Sequence, residues 1–122
     1  MPQTLNHQVS ILIIDDEPQI RKFLDIALRA QGYQVHVAEN GLKGLEILVT
    51  QRIGLLILDL GLPDMDGLEV LTELRQWSDI PVIVLSARPD ENQKIKLLDA
   101  GANDYVTKPF SIQELSARVR VM

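Results

Sequence analysis

The stretch ILIIDDEPQI, residues 11–20, sets four branched apolar residues directly before three acids, Asp15, Asp16 and Glu17, followed by Pro18. An apolar run without alternation reads as a strand buried on both faces, as in a parallel sheet. Proline suits the first turn of a helix, where its missing N–H costs nothing. The stretch is therefore a strand running into a helix, with negative charge stacked at the junction. Like charges this close repel, and burial makes the repulsion worse. The junction predicts something positive to meet them.

The same rhythm recurs along the chain. The first strand covers 9–14, and Ile20, Leu24, Ala27 and Leu28 line one face of the helix after it, which Gly32 can stop. YQVHVA, 33–38, reads as a second strand. Asn40 can cap a second helix carrying Leu42, Leu45, Leu48 and Val49 on its apolar face. LLILDL, 55–60, is a third strand buried on both faces. GLPDMDG is a turn-rich loop, and Asp66 caps a third helix with Leu68, Leu71 and Leu74. PVIVLSA, 81–87, is a fourth strand, and Asp90 with Gln93 resembles a capping box for a fourth helix ending near Gly101. DYVT is a short fifth strand, and Ser111 with Glu114 is a second capping-box pattern. Parallel strands require crossover connections, and these are right-handed, so the pattern predicts a doubly wound α/β fold, a (βα)5 five-stranded parallel sheet with helices on both faces.

Bulk properties bound the function. A chain of 122 residues with 46% hydrophobic content suits one domain with one core. No run approaches the ~20 apolar residues of a membrane span. The polar start MPQTLNHQ reads as a loose tail at 1–8 without a signal-peptide core, pointing to a cytoplasmic protein. The absence of cysteine excludes disulfides and thiolate metal sites. A net charge of −5 argues against direct nucleic-acid binding by this segment, because phosphate contacts need a basic face.

Ligands of open α/β sheets bind at the carboxyl ends of the strands. Asp15 and Asp16 end the first strand, Asp59 the third, Ser86 the fourth, and Lys108-Pro109 the fifth. Oxygen ligands gathered in this way suit a hard cation such as Mg2+, which makes the crowding of acids tolerable. Lys108 adds a positive point charge for an anionic group. A carboxylate can act as nucleophile and form an acyl phosphate when charge on the incoming phosphoryl group is neutralised. Each residue alone has a plainer reading: Asp16 or Glu17 serving the helix N-terminus, Asp59 a turn residue, Ser86 a loop hydroxyl, Lys108 a solvated lysine. Their joint placement at four strand ends carries the functional reading. His7 and His36 have no partners at metal-ligand spacing, and Met65, Trp77 and Met122 carry no site signal.

The segments IIDDE, LLILDLGLPDMDGLEVL, IPVIVLSA, DAGANDYVTKPF and ELSARVR together resemble the receiver domain of two-component response regulators, from about Val9 onward. This is a flavodoxin-like receiver fold. DAGANDYVTKPFSIQELSARVR is similar to the OmpR/PhoB type, whose members carry a C-terminal winged-helix DNA-binding domain, and DLGLPDMDG with LRQWSDIPVIVLSAR is similar to regulators of potassium-transport genes. The resemblance implies Asp59 as phosphoacceptor, with Mg2+ held by Asp16, Asp59 and the Gly61 carbonyl and with Asp15 nearby or acting through water. It implies Ser86 and Lys108 as partners of the phosphoryl group, Tyr105 as an aromatic switch, and a cis Lys108-Pro109 bond. The partner would be a sensor histidine kinase. Phosphorylation would shift the population toward an active arrangement that forms a homodimer. In that dimer Lys94 would pair with Glu114, Asp104 with Arg118, and Asp99 with Arg120, around Ile95, Leu98 and Ala117; the plainer reading leaves these as solvated helix charges. Domain limits are expected at 9–122, with DNA reached only through a further domain.

Two departures from the family pattern matter. Asn103 stands where the family usually has an acid, removing a charge near the dimer face. Gly61 offers no side chain to orient water beside Asp59, and Arg88 is long enough to obstruct or bind there, so slow self-dephosphorylation is expected; an unchanged phosphoryl lifetime in Gly61→Asn would count against the part assigned to Gly61. A phosphatase of the haloacid-dehalogenase kind is disfavoured, because Leu60 and Gly61 follow Asp59 where a second acid is needed. A phosphate-blind interaction module is disfavoured because Asp15, Asp16, Asp59, Ser86 and Lys108 are all present.

Overall fold

The computed structural model describes residues 9–87 and 90–122. The tail expected at 1–8, His7 within it, and Arg88 lie outside the described residues. The chain runs β1 (Ser10–Ile14), α1 (Pro18–Ala30), β2 (Gln34–Ala38), α2 (Gly41–Thr50), β3 (Leu55–Asp59), α3 (Gly67–Leu74), β4 (Val82–Ser86), α4 (Glu91–Asp99), β5 (Asp104–Thr107) and α5 (Ile112–Val121). All ten elements stand where the sequence places them, with strand ends shifted by at most one residue. Pro81, which has no N–H for the ladder, falls just outside β4 while its carbonyl accepts from Leu56 N at 3.0 Å.

The strands form one parallel sheet in the order β2-β1-β3-β4-β5. Successive strand residues point to opposite faces, and here both faces are apolar. Leu12, Ile14, Leu56, Leu58, Val82 and Val84 face Leu48 of α2, Leu71 and Leu74 of α3, and Leu97 of α4. Ile11, Ile13, Leu55, Ile57, Ile83 and Leu85 face Leu24 and Leu28 of α1 and Leu115 and Val119 of α5. Each fully buried Leu or Ile contributes roughly 1.5–3 kcal/mol over leaving it in water. The chain moves from β1 outward to β2, then returns past β1 to β3. The crevice at the carboxyl ends of β1 and β3 is thus the switch point of the sheet.

Two local expectations are corrected. Leu42 and Val49, expected on the buried face of α2, are 68% and 72% exposed. The helix instead buries Gly41, Gly44 and Leu48. It lies so close to the sheet that a Cβ on Gly44 would come within 2.2 Å of Ile14 Cδ1. The second correction concerns capping boxes. A reciprocal box forms at α3, between Asp66 and Glu69. At α4 and α5 only half of each forms: Asp90 accepts from Gln93 N and Ser111 from Glu114 N. The Gln93 and Glu114 side chains bond Ser86 and Arg118 instead.

Candidate functional site

Four strand tips build one cleft. Asp15 directly follows β1, and its N–H still donates to Ala38 O at 3.1 Å, extending the ladder with β2 by one step. Its side chain turns back, and Oδ1 accepts from Glu17 N at 2.9 Å, which closes the turn into α1. Asp59 is the last residue of β3 and Ser86 the last of β4. Lys108 N donates to Ser86 O at 2.9 Å, so the ladder delivers Lys108 to the level of the other tips. The Lys108-Pro109 bond is cis, as the resemblance implies.

Lys108, expected to face an anionic group, meets the opening acids as well. Its Nζ lies 3.2 Å from Asp15 Oδ2, 3.0 Å from Glu17 Oε1 and 3.1 Å from Asp59 Oδ1. Burial alone pulls the ammonium down, but these three acids outweigh it and hold Lys108 above its ordinary range. Asp15 is raised as well, which in an acid favours the neutral form. Complete burial raises its carboxyl and the charge of Asp59 adds to this, while the Glu17 N–H and Lys108 oppose it. One ammonium thus serves several acids, and negative charge is left over.

The surplus has a location. Carboxylate oxygens of Asp15, Asp16 and Asp59 lie within 4.8 Å of one another. Asp15 Oδ2 is buried and accepts no hydrogen bond; its ion pair with Lys108 is its polar contact. Oxygen donors in this density, one of them buried and held by a single ion pair, fit a hard divalent cation. The cleft, about 530 Å3, is lined by Asp16, Glu17, Asp59, Gly61, Ser86 and Lys108, with Gln93 at its α4 edge. A more apolar groove between α2 and α3, flanked by Leu42, Val49 and Trp77, holds no such convergence, so chemistry rather than volume selects the cleft.

Three residues that the sequence reading did not assign to the site belong to its surroundings. Glu17 is the N-cap of α1 but makes no side-chain cap bond, and it pairs with Lys108 instead. Asp64, in the loop after Asp59, accepts from Gly41 N at 2.8 Å and Leu42 N at 2.9 Å. These bonds hold its carboxyl below its ordinary value and tie the loop to the start of α2. Gln93 accepts from Ser86 Oγ at 3.1 Å. Glu17 and Asp64 are acids in motif segments and could have been suspected; for Gln93 the capping-box pattern pointed elsewhere.

The residues expected at a dimer face lie together on α4, β5 and α5. Ile95 and Leu98 are half exposed. Arg118 Nη1 donates to both carboxylate oxygens of Asp104 at 3.0 Å, and Nη2 donates to Glu114 at 3.3 Å, all within one chain. Lys94 Nζ sits 5.3 Å from the centre of the Tyr105 ring, a cation–π distance. Ala117 is partly buried and Lys94, Asp99, Glu114 and Arg120 are exposed. Tyr105 packs against the core face shared by α2, α3 and α4, with its hydroxyl buried and unpartnered. Asn103 spends its Oδ1 on Val82 N at 2.9 Å and Arg75 at 3.0 Å, joining the start of β4 to the end of α3.

With this geometry in hand, the comparisons with known proteins are specific. The family model for the response regulator receiver domain matches residues 11–120. The regulator KdpE of the KDP operon from Escherichia coli K12 is 55% identical over 112 residues, covering 92% of this chain and 50% of that protein. KdpE of Mycobacterium tuberculosis is 54% identical over 110 residues, covering 90% and 49%. The chain thus spans about half the length of these relatives. Among solved structures, the receiver domain of Francisella response regulator 1452 superposes with TM-score 0.89 at 36% identity, covering 93% of this chain and 95% of that one. Thermotoga maritima TrrA, solved in complex with Mg2+-BeF, gives 0.85 at 35% identity, covering 93% and 98%. The chain is a response regulator receiver domain, similar to that of KdpE regulators.

Proposed function

We propose that this domain is a phosphorylation switch in which Asp59 accepts a phosphoryl group from a sensor histidine kinase. The observation that supports this best is the cluster of Asp15, Asp16 and Asp59 oxygens within 4.8 Å, with Lys108 reaching into it. Asp59 Oδ1 pairs with Lys108, leaving Oδ2 to attack phosphorus. As the new O–P bond forms, the bond from phosphorus to the kinase imidazole nitrogen breaks, and the electron pair leaves with that nitrogen. Lys108 then pairs with the transferred group and Ser86 donates its hydroxyl hydrogen to a phosphoryl oxygen. Asp15, Asp16, Asp59 and the Gly61 carbonyl would hold Mg2+, which when bound neutralises charge on the phosphoryl oxygens. Gly61 leaves the space beside Asp59 without a side chain to orient water, and among the described residues a Cβ there would meet only Asp59 Oδ2, at 4.0 Å. This supports slow self-dephosphorylation.

Downstream, Tyr105 would act as the aromatic switch, its inward placement coupled to Ser86 moving toward the phosphoryl group. The α4-β5-α5 face would then form a two-fold dimer in which the internal Asp104–Arg118 pair is exchanged for the same pair between protomers. In a longer protein the dimer would act on a DNA-binding domain and on transcription of potassium-transport genes. The decisive experiment is intact-mass analysis after incubation with acetyl phosphate. One phosphoryl adduct is expected with Mg2+, none without it and none in Asp59→Asn; a wild type that stays unmodified while folded would overturn the reading. Metal-free Asp15→Asn should melt above wild type, because a carboxyl raised by burial opposes folding when charged. The same variant should lose the rise in Tm that Mg2+ gives the wild type.

A further inference from the structure

Helix α4 is thinly held. Of its nine residues only Leu97 is buried. Among the described residues, two polar contacts fasten its first turn to the sheet. Gln93 Oε1 accepts from Ser86 Oγ at 3.1 Å, and the neighbouring Lys94 lies over the Tyr105 ring. Gln93 also borders the cleft that holds Asp59 and Lys108. Its side chain reaches Ser86 rather than completing the cap at Asp90, although the sequence offers that cap.

Resting on the function proposed above, we propose that Gln93 is the positioning residue that tethers α4 to the phosphoryl cleft through Ser86, and that phosphorylation releases it. The reason is stoichiometric. A serine hydroxyl has one hydrogen to donate. While Asp59 is unmodified that hydrogen goes to Gln93. Once Ser86 gives it to a phosphoryl oxygen, Gln93 loses this donor and α4 loses this bond to the cleft. A helix with one buried side chain responds to the loss of one hydrogen bond in a way that a well-buried helix does not. The release reaches the Tyr105 ring through Lys94, one residue along the same turn.

The test is amide hydrogen exchange over α4, read at equal phosphoryl occupancy as determined by intact mass. Phosphorylation of the wild type should raise α4 exchange about 3- to 10-fold, the range one net hydrogen bond supports. Gln93→Met keeps the bulk without the acceptor. It should show that raised exchange before any phosphoryl group is added, and phosphorylation should then change it less than about twofold. Ser86→Ala should match Gln93→Met in the unphosphorylated protein, and the double variant should go no further, a non-additivity that separate structural roles would not produce. Wild-type exchange in unphosphorylated Gln93→Met, or additive effects in the double variant, would overturn the tether alone. A wild type that takes no phosphoryl group would overturn the proposed function, and the release step with it.

Discussion

Helices α3 and α4 hold equivalent places in the chain and are built for opposite purposes. Each follows a strand whose last residue belongs to the cleft, Asp59 before α3 and Ser86 before α4. Helix α3 buries Gly67, Val70, Leu71 and Leu74 among eight residues, and its cap is reciprocated. Helix α4 buries Leu97 alone, and its cap runs one way. Their starts differ as well. Gly67 sits so close behind β3 that a Cβ would fall 2.7 Å from Asp59 O and 2.8 Å from Leu60 Cα. Asp59, the proposed nucleophile, is thus backed by a wall, while Ser86 opposite is backed by a helix that buries one side chain. A nucleophile needs fixed geometry, whereas a signal needs an element near the low end of local stability.

The comparison breaks most visibly in the core. Leu71→Ala should cost about 2–5 kcal/mol, while Leu98→Ala, at a site 57% exposed, should stay within about 0.5 kcal/mol. Urea unfolding midpoints measure both, and equal losses would end the contrast. Gly67→Ala comes next. The atoms in its way are backbone, so about 1–3 kcal/mol should be lost and phosphoryl uptake from acetyl phosphate should slow as Asp59 is displaced. Gly61→Ala, with nothing nearer than 4.0 Å among the described residues, should leave stability within about 0.5 kcal/mol. The caps sharpen the contrast further. Asp66→Ala removes the side-chain half of the box and leaves the Asp66 N–H on Glu69; it should cost about 0.5–2 kcal/mol, and Asp90→Ala, at the thinly held α4, should cost less in the same denaturant titration.

The smallest effect concerns the loop between the wall and α2. The Asp64 carboxyl lies below its ordinary 3.8 because it is bonded to the Gly41 and Leu42 N–H groups. A lowered acid contributes stability that is full above 3.8 and is lost as pH falls through the lower folded value. Asp64→Asn should therefore melt lower than wild type at neutral pH, with the two Tm curves converging below pH 3.8. Parallel curves down the whole acid limb would remove Asp64 from the account.

Much of this was legible from local pattern. Ile11 to Ile14 announce a buried strand, Pro18 a helix start, and Asn40, Asp66, Asp90 and Ser111 their caps, because each signal involves residues within one turn of one another. The cleft was legible too, since strand ends in a parallel sheet point the same way and gather Asp15, Asp59, Ser86 and Lys108. Misreadings arose where two partners compete for one side chain. Gln93 could reach Asp90 N or Ser86 Oγ, Glu114 could reach Ser111 N or Arg118, and Asn103 turned from the expected dimer face to Val82 N and Arg75. Leu42 and Val49 misled for a related reason: periodicity marks an apolar face, but the close approach at Gly44 decided which side of α2 meets the sheet.

By itself, then, the sequence determined the order of elements, the parallel sheet and the set of residues at its carboxyl edge. These follow from periodicity and from side chains within a few residues of each other. The tertiary structure alone decided that Lys108 answers Asp15, Glu17 and Asp59 together, that Gln93 leaves its cap for Ser86, and that α3 is a wall while α4 is loosely held. Alternative hydrogen bonds of one side chain differ by no more than about 1 kcal/mol in net worth, so the choice falls to the packing that brings distant segments within reach.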